Sequence, residues 1–226
     1  MASFEQHINI TVLATGMLIV PLNASGIFDI EHSFIALCLG VLGGILPDLD
    51  SDNSRPIQIA FKIISIFLPL LLLIALADKH FTVLYMIGIW IVASLILRIT
   101  LLKFFVTITK HRGIFHSIPM GIVFAQLTAI SFFYSFGYSK FFATMAGFFL
   151  FFGFIIHLLL DELVSLNALG IKVKKSFGTA LKLYSKQNPL GTALLYLFMI
   201  IFYFIFPLEK APFLEIFHVL KNIQFL

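Results

Sequence analysis

Residues 141–162 read FFATMAGFFLFFGFIIHLLLDE, an almost unbroken apolar run that ends in a histidine and two carboxylates. A helix rises about 1.5 Å per residue, so about 20 apolar residues cross the ~30 Å hydrocarbon core of a bilayer. Lipid offers no hydrogen-bond partner to the backbone, and a helix satisfies its backbone groups internally. The run therefore predicts a transmembrane helix over 141–161, with His157 and Asp161 in its last turn.

The rest of the chain has the same character. It has 226 residues, is 60% hydrophobic and 12% charged, and has a mean hydropathy of +1.05. These values are typical of polytopic membrane proteins, and the apolar runs lack the two-residue alternation of a membrane barrel. The sequence predicts an all-α transmembrane helical bundle with about seven apolar segments, at 8–28, 33–47, 57–77, 81–101, 116–136, 141–161 and 190–208.

A chain of this length is expected to form one transmembrane domain over 1–208, which includes a basic loop at 162–189. Residues 209–226 are interpreted as an amphipathic tail on the membrane surface. The second segment is short, and its three glycines predict close packing against another helix until Pro47 ends it. The single Cys38 excludes an internal disulfide. No cleaved signal peptide is expected, because residues 1–7 contain no Lys or Arg.

Three short polar islands follow long apolar runs: LPDLDSD at 46–52, HRGIFHS at 111–117 and HLLLDE at 157–162. Together they hold five of the eleven carboxylates and three of the seven histidines. Ionisable groups at membrane depth are costly, so gathering them indicates a functional site. Carboxylate oxygen and imidazole nitrogen are hard or borderline metal ligands.

Alternate threading of the segments through the bilayer brings all three islands, and also His7, to one face. Of the 15 Lys and Arg residues, eleven fall on that face and four on the other. Basic residues concentrate in cytoplasmic loops, so we expect the site to face the cytoplasm. The net charge of +4 is then explained by orientation and contact with anionic lipid, and no nucleic-acid partner is expected.

Each island also has a simpler interpretation. His157 and Asp161 share a helix face, where they can bind one ion or join two helices by a hydrogen bond. Asp48 and Asp50 follow a proline, where Asp commonly forms turns, although a divalent metal would also relieve the repulsion between crowded carboxylates.

His111 and His116 lie five residues apart, about 140° around a regular helix. Gly113 allows a turn between them, so that both histidines can face one site. Arg112 offers planar donors suited to phosphate, or else it is an anchor on the cytoplasmic side.

The order of these motifs resembles a known family. A histidine near the N-terminus, LPDLD, HRGxxHS and HxxxD at a helix end are similar to the YdjM-like membrane-bound metal-dependent hydrolases, described as LexA-binding and inner-membrane-associated. The resemblance covers about residues 5–165 and implies hydrolysis with a divalent metal, zinc being favoured. Phe115 stands where the family usually has Thr. Residue by residue, the implied site is His7, Asp48, Asp50, His111, Arg112, His116, Ser117, His157 and Asp161.

The predicted function is metal-dependent hydrolysis at the membrane, with a lipid phosphoester as the favoured substrate. His7, Asp48, His116, His157 and Asp161 are the candidate ligands of one or two ions, and His7 can instead support the ligands. Asp50 or His111 is the candidate proton acceptor, either of which can instead bind a second ion, and Arg112 is the candidate anion-binding residue. The alternatives are a metal or proton transporter and a metal-stabilised membrane scaffold.

Overall fold

The computed structural model describes residues 3–50, 65–66, 69, 82–109, 116–165, 181–184 and 189–222, and the side chains of these residues except 49–50, 100–109 and 165. Within these ranges the chain is helical and forms no strand. The helices are α1 (Phe4–Ala24), α2 (Ile30–Ile45), α3 (Val83–Thr109), α4 (Ile118–Ile130), α5 (Lys140–Ser165), α6 (Pro189–Ile205) and α7 (Ala211–Lys221). A 3-10 turn (Leu46–Asp50) follows α2 and a π turn (Ser131–Ser135) follows α4.

Four helices in the described ranges are long and apolar enough to cross a membrane. They are Phe4–Ala24, Ile30–Asp48, Ile118–Ser135 and Lys140–Val164. Val83–Ile99 and Pro189–Ile205 are shorter apolar stretches. The all-helical membrane class is therefore confirmed, whereas the count of seven segments stays a prediction, because most of segment 57–77 lies outside the described residues.

Helices α1 and α2 begin earlier than hydropathy predicts, because polar caps start them. At α1, Gln6 N–H donates to Ser3 Oγ (3.3 Å) and Ser3 N–H donates to Gln6 Oε1 (2.8 Å), which makes a capping box. At α2, His32 N–H donates to Asp29 Oδ1 (2.7 Å). That backbone N–H holds the pKa of Asp29 below its ordinary value, so the cap stays charged.

The chain divides into two compact units, residues 1–47 with 113–226 and residues 48–112. In the second unit, Trp90 Nε1–H donates a hydrogen bond to the carbonyl oxygen of Ile66 (3.1 Å). Most described side chains of α3 are exposed and apolar, as expected of a helix that faces hydrocarbon.

In the first unit, α5 is the central helix and packs closely on α2. A Cβ added at Gly153 would overlap the carbonyl oxygen of Gly40, and one added at Gly43 would overlap that of Leu150. Backbones can approach this closely only where side chains are missing, which is how small residues bring membrane helices together. The close packing predicted for the second segment is thus confirmed, with Gly153 as its partner on α5.

Helix α1 packs on the same α2 glycines from another side. The side chain of Thr15 fills the space over Gly40, and that of Thr11 fills the space over Gly44. Both threonines are fully buried, and His7 lies one turn before Thr11 on the same face of α1. This packing carries His7 to the end of α2 at which the LPDLD motif begins.

Candidate metal centre

His157 and Asp161 lie one turn apart on α5, and both are buried. His157 Nδ1 lies 2.7 Å from the carbonyl oxygen of Gly44, which can only accept, so Nδ1 is assigned as the protonated nitrogen. That assignment leaves the lone pair on Nε2, which lies 3.8 Å from Asp161 Oδ2. A backbone carbonyl that fixes the tautomer in this way is a common support for histidine ligands of metals.

His7 joins this pair from α1. Its ring stacks on that of His157, with centroids 3.7 Å apart and planes 10° apart, and it is only 1% exposed. His7 Nε2 lies 3.4 Å from Asp161 Oδ1. Neither ring nitrogen of His7 has a hydrogen-bond partner within the described ranges. Buried polar atoms in that condition are rare in native proteins and fit a nitrogen set aside for an ion or a substrate.

His116 completes the cluster from the start of α4. Ser117 caps that helix by accepting a hydrogen bond from Met120 N–H (3.4 Å), which fixes His116 just outside the first turn. His116 Nε2 lies 3.9 Å from Asp161 Oδ2, and its ring centroid lies 5.7 Å from that of His157. Three helices therefore supply this site.

The spacing of the ligand atoms fits one metal ion. One atom from each of His116, His157 and Asp161 lies within 4.8 Å of the other two. Ligand distances of about 2.1 Å in a tetrahedral zinc site place the ligands about 3.4 Å apart, so a small contraction would close this set around an ion. Two imidazoles and one carboxylate are also a common ligand set of catalytic zinc sites, which keep one position open.

Asp161 lies at the centre of the cluster, because its two carboxylate oxygens face different histidines. Oδ1 faces His7, and Oδ2 faces both His116 and His157. The buried carboxylate of Asp161 thus lies beside three imidazole rings.

Residues 1–213 match the model of the YdjM inner membrane protein family. The chain belongs to the YdjM inner membrane protein family. No curated protein and no solved structure matches it. The YdjM-like membrane family predicted from the motifs is therefore confirmed, and the chain is an inner membrane protein. The clustered histidines and Asp161 all lie within the matched residues of this YdjM-family chain.

The other predicted site residues of this YdjM-family protein are less fully described. Asp48 lies in the 3-10 turn Leu46–Asp50, directly after the buried Pro47. The backbone of Asp50 ends that turn, and its side chain lies outside the described residues. His111 and Arg112 also lie outside them. Their roles stay predictions.

The sequence motifs did not predict that part of the basic loop lies beside the histidine cluster. Ser117 and Lys182 form an isolated parallel bridge, in which Ile118 N–H donates to the carbonyl oxygen of Lys182 (3.1 Å). Tyr196 O–H donates to the carbonyl oxygen of Leu183 (3.1 Å). The described part of the basic loop, residues 181–184, is therefore held beside His116. No sequence pattern signals this contact, because the loop pairs through its backbone.

Proposed function

We propose that this protein is a metal-dependent hydrolase acting at the membrane, with zinc as the favoured ion and a lipid phosphoester as the favoured substrate. The observation that carries the proposal is the buried carboxylate of Asp161 within 3.4–3.9 Å of the Nε2 atoms of three histidines. A divalent ion in such a ligand set supplies Lewis-acid activation of water and of a phosphoryl oxygen.

In this proposal His116, His157 and Asp161 hold the ion, with Asp48 as a further ligand predicted from the sequence. The hydrogen bond to Gly44 keeps His157 Nε2 aimed at the ion position. His7 is placed to bind a second ion or to support Asp161 by a hydrogen bond.

Proton transfer and substrate binding are assigned to residues of the other motifs. Asp50 or His111 accepts the proton of the attacking water, and Arg112 binds the substrate anion through its planar donors. Lysines of the loop 162–189 raise the local concentration of anionic lipid.

One observation favours a proton or metal transporter instead. His7, Thr11 and Thr15 form a buried polar row on α1, and the hydroxyls of both threonines have no hydrogen-bond partner within the described ranges. The row spans about 12 Å and is followed on the same face by the buried Ile19 and Leu22. A polar row that gives way to aliphatic side chains fits the wall of a site better than a path across the membrane, so we favour the hydrolase.

The direct test of the hydrolase is release of phosphate or headgroup from anionic lipid vesicles by the purified protein. We expect turnover that a chelator abolishes and that added zinc restores. Purified protein that contains stoichiometric metal but releases nothing from any phosphoester would remove the proposed reaction while leaving the metal site in place.

Arg112→Lys tests the assigned anion contact. A point ammonium cannot reproduce the two-pronged contact of a guanidinium, so we expect a loss of about 1.5–3 kcal/mol in transition-state binding, roughly a tenfold to hundredfold lower rate. Metal content and membrane insertion should be unchanged. An unaltered rate would take Arg112 out of the reaction without affecting the metal site.

Topology can be tested with inserted reporters. The eleven basic residues on the face of the motifs predict that a reporter in the loop 162–189 reads cytoplasmic, and that one at 135–140 reads extracytoplasmic. The matched pair of insertions brackets α5. If both reporters read the same compartment, the predicted threading of the helices through the membrane and the cytoplasmic position of the site would be wrong.

A further inference from the structure

A groove of about 420 Å³ lies between α4 and α6. Its volume is within the range of sites for small molecules. The five lining residues from α6 recur at the spacing of one helix face, over about 12 Å of helix. The lining residues are Gln126, Tyr196, Met199, Ile200, Tyr203 and Phe204.

Hydrogen bonds hold the two walls of this groove at a fixed separation. Gln126, which is 94% buried, donates from Nε2 to the carbonyl oxygen of Met199 (3.0 Å). At the far end, Tyr134 O–H donates to the carbonyl oxygen of Ile205 (3.1 Å). Hydrogen bonds at two levels therefore join the two walls of the groove.

Hydrogen bonds through residues 182 and 183 link one end of the groove to the residues that follow His116. Tyr196, in the groove wall, is bonded to Leu183, and the adjacent Lys182 is bonded to Ile118, two residues after His116. The half-buried Lys182 supplies a basic residue to the segment whose backbone joins the groove wall to the start of α4. One short segment thus connects an apolar groove, a positive charge and a candidate metal site.

The distances along the helices match the shape of a membrane lipid. Gln126 lies eight residues beyond Ile118, about 12 Å further along α4. A lipid whose phosphate lies near His116 would therefore have its acyl chain at the depth of Gln126. The groove offers aliphatic and aromatic side chains at that depth, whereas a free phosphate would make no use of them.

We propose that the groove between α4 and α6 binds the acyl chain of an anionic phospholipid, with Lys182 holding its phosphate beside His116. The inference rests on the proposed hydrolase, because it names the substrate class and its orientation in that same site. Lys182 would favour an anionic headgroup over a zwitterionic one, and the groove would bind the acyl chain of a lipid that lies in the membrane.

The test is lipid binding to the full-length protein, measured by native mass spectrometry with phosphatidylglycerol and with phosphatidylcholine of identical chains. We expect phosphatidylglycerol to bind at least about tenfold more tightly, equivalent to ~1.4 kcal/mol. Ile200→Trp, which fills the groove, should weaken binding about tenfold. The matched control is Ile201→Trp, since Ile201 is the neighbouring exposed isoleucine outside the groove, and it should bind as the wild type does. Lys182→Ala should abolish the preference between headgroups.

Equal losses in Ile200→Trp and Ile201→Trp, or equal binding of the two lipids to the wild type, would overturn the proposal and indicate lipid bound only as a surrounding annulus. If Lys182→Ala still prefers phosphatidylglycerol over phosphatidylcholine, Lys182 does not bind the phosphate as proposed. Displacement of the lipid by millimolar inorganic phosphate would identify a site for free phosphate instead. Lipid binding is measured without any turnover, and metal content is measured in parallel. A protein that binds the lipid but does not hydrolyse it is therefore distinguished from one whose groove binds no lipid.

Discussion

Replacing His157 or Asp161 with alanine is expected to reduce bound metal to well below half occupancy and to lower any hydrolytic rate at least about a hundredfold, equivalent to ~2.7 kcal/mol. His157 and Asp161 supply two of the three ligands in the set with His116, and an incomplete set binds metal far more weakly. Metal content after purification is the primary measurement, and the chelator-sensitive release of phosphate is the second.

The matched control for Asp161→Ala is Glu162→Gln, which changes the next carboxylate on α5, a residue outside the proposed ligand set. It should retain both metal and activity. Each variant is also tested for a native elution volume and helical content, because removing a buried side chain can destabilise the bundle. If the folded His157→Ala and Asp161→Ala proteins retain full metal, the two residues are not metal ligands, and their role is to join helices.

Gly153→Ala is expected to have the largest effect on stability. Its Cβ would overlap the carbonyl oxygen of Gly40, and a backbone atom cannot move aside as a flexible side chain can. Separating α2 from α5 should cost about 3 kcal/mol or more, at or above the upper end of overpacking penalties. The separation should also move Gly44 away from His157 and weaken metal binding. Thermal unfolding in detergent measures the first effect and metal content the second.

Gly16→Ala is the control for this change, because a Cβ at Gly16 on α1 would meet no atom within 4 Å. Alanine is the better helix former by about 1 kcal/mol, so this variant should be neutral or slightly more stable. Equal destabilisation by Gly16→Ala and Gly153→Ala would mean that the close approach of α2 and α5 does not hold the bundle together.

The sequence alone predicted the helical class and much of the cluster for a physical reason. Lipid allows few backbone structures, so hydropathy located the helices, and alternate threading placed His7 with His157 before any contact was known. The caps moved the start of α1 from residue 8 to Phe4 and that of α2 from residue 33 to Ile30. Capping depends on local hydrogen bonds that hydropathy does not measure.

Contacts through the backbone were beyond sequence reasoning. The carbonyl oxygen of Gly44 orients His157, and that of Lys182 pairs beside His116, yet a carbonyl group is the same at every residue. Gly153 lay in an apolar run in which a glycine has several explanations, and only its approach to Gly40 gives it a role. Side-chain chemistry could be read from the sequence, whereas contacts that depend on the distance between helices could not.

The central claim is that His116, His157 and Asp161 bind an ion with a position left open for water. X-ray absorption at the zinc edge of the purified protein tests it most directly. We predict about one ion in the cluster, with imidazole nitrogen and carboxylate oxygen at about 2.0–2.2 Å, no sulfur ligand and at least one exchangeable oxygen. A metal-free protein after zinc loading, or a sulfur ligand from Cys38, would contradict the account.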